Sequence, residues 1–208
     1  ETWSYGNKPV VQSTSDFAHA KSVIVTEYIT GNLLISYTNK KISNKSWKSL
    51  IQQLIVITYF FEQNKIIHGD FWDANLILTK IDKNIKLHFN INGKKFNVIN
   101  KGFLVKVIDF QYSNQYTSKP NFISPYVLST NPEHKEEREE LGWSEKFHSG
   151  VDLNQILGIL SDYEFIPSKL KELLKSIVIK REGKQFPYAN KDGNPKIDMD
   201  ELMKIIND

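Results

Sequence analysis

The chain has 208 residues, carries 27 Lys and Arg against 24 Asp and Glu, and contains no cysteine. A formal charge of +3 is too slight to argue for nucleic acid by itself, and the lack of cysteine excludes disulfides and cysteine-ligated metals. An apolar content of 40% supports a real core, in one domain of good size or two small ones, while no apolar run reaches membrane-span length and no signal-peptide pattern is present. A chain that opens on Glu1 rather than Met is expected to be a fragment or a processed product.

Residues 1–22 are polar and weakly patterned. Ser22 to Ile29 (SVIVTEYI) is a β-branched run that reads as a strand, broken by Thr30, Gly31 and Asn32. Residues 46–64 read as a helix with Ser46 as its cap, because Trp47, Leu50, Ile51, Leu54, Ile57 and Phe61 recur on one face. The helix is apolar nearly all round towards its end, which predicts burial. IIHGDFWDANLIL, residues 66–78, sets His68, Asp70 and Asn75 between two short apolar runs. In LHFNINGKKFNVI, residues 87–99, Asn92-Gly93 separates two alternating runs, which predicts a hairpin. FLVKVIDF, residues 103–110, reads as a further strand ending at Asp109. Residues 111–147 are polar, hold Pro120, Pro125 and Pro132 and the charge run HKEEREE at 134–140, and read as an exposed segment. Helices are expected over 151–160, 167–179 and 199–206.

The chemistry gathers where the strands end. Asp70, Asn75 and Asp109 are two carboxylates and an amide, all oxygen donors, a set that suits a hard cation such as Mg²⁺. A carboxylate left free of the metal can accept the proton of an attacking hydroxyl, and together these are the parts that phosphoryl transfer needs. The bland alternative is an ordinary strand–turn–strand in which Asp and Asn act as turn caps. A second motif, NKDGNPKIDMDE at 190–201, has Asn190, Asp192, Asn194, Asp198 and Glu201 at the ligand positions of a calcium loop. Pro195 stands where that loop needs a residue of positive φ, so a turn followed by a capped helix is the better reading.

HGDFWDAN resembles the catalytic loop of the protein-kinase-like fold, His-x-Asp-x-x-x-x-Asn, and Asp109-Phe110-Gln111 resembles its metal-binding Asp-Phe-Gly. VIVTEYITG, 23–31, is similar to the hinge of that fold, and Asp152 falls where the fold has a buried Asp that holds the catalytic loop. The interval from Asn75 to Asp109 holds a whole hairpin, and in this it is similar to haspin, the atypical kinase of histone tails. Haspin also reads Ile-Asp-Tyr where this chain has Ile108-Asp109-Phe110. The resemblance runs from about residue 16 to about residue 160.

That resemblance implies an α+β fold: a kinase C-lobe, mainly helical, with short strands and a β-hairpin insertion at the cleft. Residues 1–30 would be the end of the N-lobe and the hinge, and residues 31–208 the C-lobe. It implies Asp70 as catalytic base and Asn75 and Asp109 as Mg²⁺ ligands, with Asn75 counted also among the catalytic residues. Thr26 as gatekeeper, Glu27, Ile29 and Ile77 would contact ATP, His68 would pack the loop, and Asp152 would bond its backbone. The activity implied is ATP-dependent phosphorylation of a Ser/Thr hydroxyl in a protein substrate, with a basic histone-like tail as candidate and HKEEREE as either a solvated face or its docking site. No nucleic acid or membrane partner is expected, and the compartment implied is intracellular, the nucleus by the haspin resemblance.

The chain also departs from the family. Gly69 replaces the usual Arg, Trp72 stands where many such kinases have Lys, Gln111 replaces Gly, and no Ala-Pro-Glu follows. No Gly-rich loop precedes Glu27, and Lys8 and Lys21 are too close to the hinge to be the strand lysine. Two alternatives follow. His-Gly-Asp is the spelling of aminoglycoside and choline kinases, which implies a small-molecule phosphotransferase. The missing N-lobe and Trp72 instead fit a pseudokinase or lobe fragment acting as a binding module.

Overall fold

The structure, a computed structural model, describes residues 28–38, 42–116, 146–184, 187–188, 195 and 198–207. The expected strand at 22–29 falls outside these residues except for Tyr28 and Ile29, which are not in a strand. Thr26, Glu27 and the HKEEREE run also lie outside them. The chain runs β1 (Asn32–Leu33), α1 (Leu34–Thr38), α2 (Asn44–Gln63), β2 (Ile66–Ile67), a 3₁₀ turn (Asp73–Asn75) and β3 (Leu76–Lys80). It continues through β4 (Leu87–Ile91), β5 (Lys94–Val98), β6 (Phe103–Val107), β7 (Asn114–Gln115), α3 (Val151–Asp162), α4 (Ser168–Ile177) and α5 (Met199–Asn207). The class is α+β, and the described residues form small antiparallel sheets ordered β1-β3-β6, β2-β7 and β4-β5 among the helices.

Helix α2 is the axis of the core. Trp47, Leu50, Ile51, Leu54 and Ile55 are fully buried and pack with Leu153, Ile156 and Leu157 of α3 and Leu202 of α5. The helix starts two residues before the expected position. Its cap is Ser43, in extended backbone, whose side chain accepts from the Ser46 N–H at 3.1 Å. The two serines stand three apart, the spacing at which either one could accept from the first turn.

Burial of α2 includes polar residues that carry the sheet. Gln53 lies beside β6 and replaces a missing strand there. Its Oε1 accepts from Val105 N–H at 2.8 Å and its Nε2 donates to the Phe103 carbonyl at 3.2 Å. Gln52 accepts from Ile99 N–H at 2.9 Å. Buried backbone groups must be paired, so Gln53→Ala leaves Val105 N–H and Phe103 C=O orphaned. The expected loss is about 2–6 kcal/mol, at ~1–3 kcal/mol per unsatisfied buried group, read as a lowered urea midpoint. An unchanged midpoint would mean that water satisfies that edge.

Strands β4 and β5 form the predicted hairpin in the register Leu87↔Val98 to Ile91↔Lys94. Asn92 (φ 50°) and Gly93 (φ 84°) make a two-residue turn with both φ positive, which is why Asn-Gly stands there. The inner face of the hairpin places Leu87, Phe96 and Val98 against Val56, with Tyr59 packed on Phe96 edge-on at 5.1 Å.

Strand β6 ends at Val107 rather than running on to Asp109. The Ile108 N–H still bonds the Asn75 carbonyl at 3.0 Å, one rung further in the β3–β6 register, and Asp109 then turns away with φ 61°. Helices α3, α4 and α5 run to Asp162, over 168–177 and to Asn207, within two residues of their expected ends. At α5 the Asp198 carboxylate accepts from the N–H groups of Asp200 and Glu201, both at 2.8 Å. Asp198 therefore serves as a helix cap, and Asn190, Asp192 and Asn194 of the candidate calcium loop lie outside the described residues.

Candidate functional site

The loop from His68 to Asn75 is held from three sides. From α3, the buried Asp152 carboxylate accepts from His68 N–H at 2.8 Å and Gly69 N–H at 3.2 Å. From the segment after β6, Ile108 C=O takes the His68 Nε2 proton at 3.0 Å, and Ser113 Oγ donates to His68 C=O at 3.1 Å. From below, the His68 ring meets Phe61 and Phe71. Glu62, at the end of α2, accepts from Gly150 N–H at 2.7 Å and so fixes the start of α3, from which Asp152 projects. Gly69 has φ 80°. That conformation is costly for a residue with a Cβ, which gives a backbone reason for Gly at this position.

Within the loop, Asn75 Nδ2 donates to the Asp70 carboxylate at 2.8 Å and to the Asp70 carbonyl at 2.9 Å. The Trp72 backbone N–H bonds the Asp70 carbonyl at 3.1 Å, and its indole lies close enough to favour the ionised form of the Asp70 carboxyl. Asn75 thus spends its nitrogen on Asp70, which turns Oδ1, the atom a cation would take, away from that carboxylate. Asp109 is exposed and close enough that its charge acts on Asp70. Positive φ at Asp109 is an uncommon conformation for a residue other than Gly, and Asp is among those that tolerate it best. Phe110 follows, half exposed, with its ring 4.7 Å from that of His68.

Electrostatics follow from burial. Burial pushes the Asp70 carboxyl above the usual carboxylate range. The Asn75 bond opposes that rise, the negative charge of Asp109 adds to it, and the Trp72 indole opposes it. Burial pushes the Asp152 carboxyl up to about 7 against the two backbone N–H bonds. Burial pushes the His68 imidazole down to about 4, so it is neutral at pH 7, with Nε2–H donating and Nδ1 facing Asp70 N–H.

Of the residues expected at a site, Asp70, Asn75 and Asp109 come together. Ile77, on β3, faces Gly31, where a Cβ would sit 2.5 Å from Ile77 Cγ2 and 2.5 Å from the Leu78 carbonyl. The segment carrying Ile29 therefore crosses β3 at Ile77. Thr26 and Glu27 are outside the described residues. Among the described residues no group of three or more His, Asp or Glu side chains is set to hold a metal ion, so a cation here would rest on two acids and one amide. Trp72, singled out in the sequence only as standing in place of a Lys, belongs to the surroundings of Asp70. It is exposed, and its indole lies near enough to Asp70 to favour the ionised carboxyl. Its place two residues beyond Asp70 in a tight turn was the available signal. No helix of the described residues is long and apolar enough to cross a membrane. No family model matches the chain, and no curated protein matches it.

Proposed function

We propose that the chain is an ATP- and Mg²⁺-dependent protein serine/threonine kinase of haspin-like type, with the geometry of a kinase C-lobe. The observation that supports this most is the Asp70 carboxylate. It is held by Asn75, feels the charge of Asp109, and sits on a loop pinned by Asp152. In this reading Asp70 accepts the proton of the substrate hydroxyl, while Asn75 fixes the direction of its oxygens. The donor set suits a hard cation, since the Asp70 and Asp109 carboxyls repel one another and the Asn75 amide oxygen takes no hydrogen bond among the described residues. Asn75 and Asp109 would hold Mg²⁺, and the bound ion would supply charge neutralisation for nucleotide phosphates. His68 and Asp152 keep the loop in place. Ile29 and Ile77 would line the adenine, with Thr26 and Glu27 completing the hinge. The basic histone-like tail as substrate and the nucleus as compartment follow from the haspin resemblance alone. Gly69, which spelled a small-molecule kinase, has its own backbone reason in φ 80°.

Calorimetry with ATP tests the reading. Binding is expected with Mg²⁺, and it should weaken at least tenfold in Asp109→Asn, which keeps shape and tolerates positive φ but loses the charge. Binding that ignores both Mg²⁺ and Asp109 would remove the proposed metal role, and no binding at all would favour the binding-module alternative.

A further inference from the structure

The mild net charge of the chain conceals a strong segregation. Residues 80–106 carry seven lysines and a single acid, Asp82, leaving 20 basic against 23 acidic residues in all the rest. The segment is the β4–β5 ribbon with its two base loops, and those loops are tied together. Asn100 Nδ2 donates to the carbonyls of Asp82 (2.8 Å) and Ile85 (2.6 Å), and Ile81 N–H donates to Gly102 C=O at 3.0 Å. The Lys83 stem lies over Gly102, where a Cβ would come within 3.0 Å of it.

The two faces of the ribbon are chemically unlike. The inner face is apolar and also uses Lys94, which pairs with Asp200 and lies over the Tyr59 ring. The outer face exposes His88, Asn90, Lys95 and Asn97, with His88 bonded across to Asn97 at 2.5 Å and Asn90 directly opposite Lys95. Lys80, Lys83 and Lys86 are exposed at the base. We infer that this outer face, with its lysine-rich base, is a docking surface for the sugar–phosphate backbone of double-stranded nucleic acid.

Three observations favour that occupant. Lys and Asn are the side chains that bond phosphate, sugar and base edges. A two-stranded ribbon fits a duplex major groove about 12 Å wide. No Phe, Tyr or Trp of the segment is exposed, so there is no platform for stacking single-stranded bases. Against a lipid surface, the segment exposes one large apolar side chain, Ile85, and at about 0.8 kcal/mol per buried CH₂ it gives little anchoring. The inference does not depend on phosphotransfer.

The test is fluorescence anisotropy of the full chain with a labelled duplex of mixed sequence. If the four exposed lysines neutralise four phosphates, log K against log salt has a slope of about −3 to −4, or roughly a hundredfold loss between about 50 and 200 mM. Lys83→Glu/Lys86→Glu/Lys95→Glu, all surface changes, should lower affinity at least a hundredfold at low salt while circular dichroism stays unchanged. No duplex binding by the wild type, or equal binding by the triple variant, overturns the inference. Equally tight binding to phosphatidylserine vesicles or to poly-glutamate also overturns it, in favour of those partners.

Discussion

Asp70→Asn is expected to abolish phosphoryl transfer to a Ser-containing basic peptide, by about 10²–10⁴-fold, the contribution of a positioned general base. The substitution keeps size and keeps an oxygen able to accept from Asn75 Nδ2, so the loop should hold its shape. It removes only the proton acceptor and the charge. The same change should raise thermal stability. Burial and the neighbouring Asp109 lift the Asp70 carboxyl above its ordinary range, which means that its ionised form at pH 7 costs the folded state. Activity falling while the melting temperature rises is the signature of a group kept for chemistry against folding. A variant that melts lower and loses activity would make Asp70 a structural residue of the turn. A variant with wild-type transfer rate would end its assignment as base.

What could be read in the sequence was whatever local rules decide. Asn92-Gly93 dictates a turn with two positive φ values, and the hairpin follows from it in register. The 3.6-residue apolar period placed α2 to within two residues, and its miss at the cap arose because Ser43 and Ser46 are equivalent to a pattern. The meeting of Asp70, Asn75 and Asp109 was legible because each lies at or just past the end of a short apolar run. Other features needed a partner distant in sequence. Strand β1 is two residues long and exists only because β3 lies beside it. Gln53, which no local pattern sets apart, is the edge partner of β6. The end of β6 was misplaced because apolar alternation says nothing of the positive φ at Asp109, which stops the strand just after the Ile108 N–H has bonded the Asn75 carbonyl. That one bond also links the Asp109 segment to the Asn75 turn, so the misplaced boundary is part of the site's construction.

The loop's two buried titrating residues give the second large effect. His68 falls to about 4 in the folded chain from an ordinary value of 6.5. Between those values the unfolded chain binds more protons, so the His68 contribution to stability rises with pH. Asp152 is raised to about 7 from 3.8. Between those values the folded chain binds more protons, so the Asp152 contribution falls as pH rises. The windows overlap from about 4 to 6.5, and there the two slopes oppose at about 1.4 kcal/mol per pH unit each. Urea unfolding at pH 4.5 and 6.0 should separate them when each variant is referred to wild type. Asp152→Asn leaves His68 unopposed, so its stability relative to wild type should rise by about 2 kcal/mol over that interval. His68→Gln leaves Asp152 unopposed, and its relative stability should fall by about the same amount. Parallel curves for wild type and both variants would mean that neither group is shifted by burial. Opposite slopes would establish that the loop bearing Asp70 is fixed by a neutral imidazole and a carboxyl that ionises only near neutrality. The hydrogen bonds from His68 and Gly69 to Asp152 then strengthen as pH rises through 7, so the loop is held most tightly where Asp152 is ionised, at a cost to the stability of the whole chain.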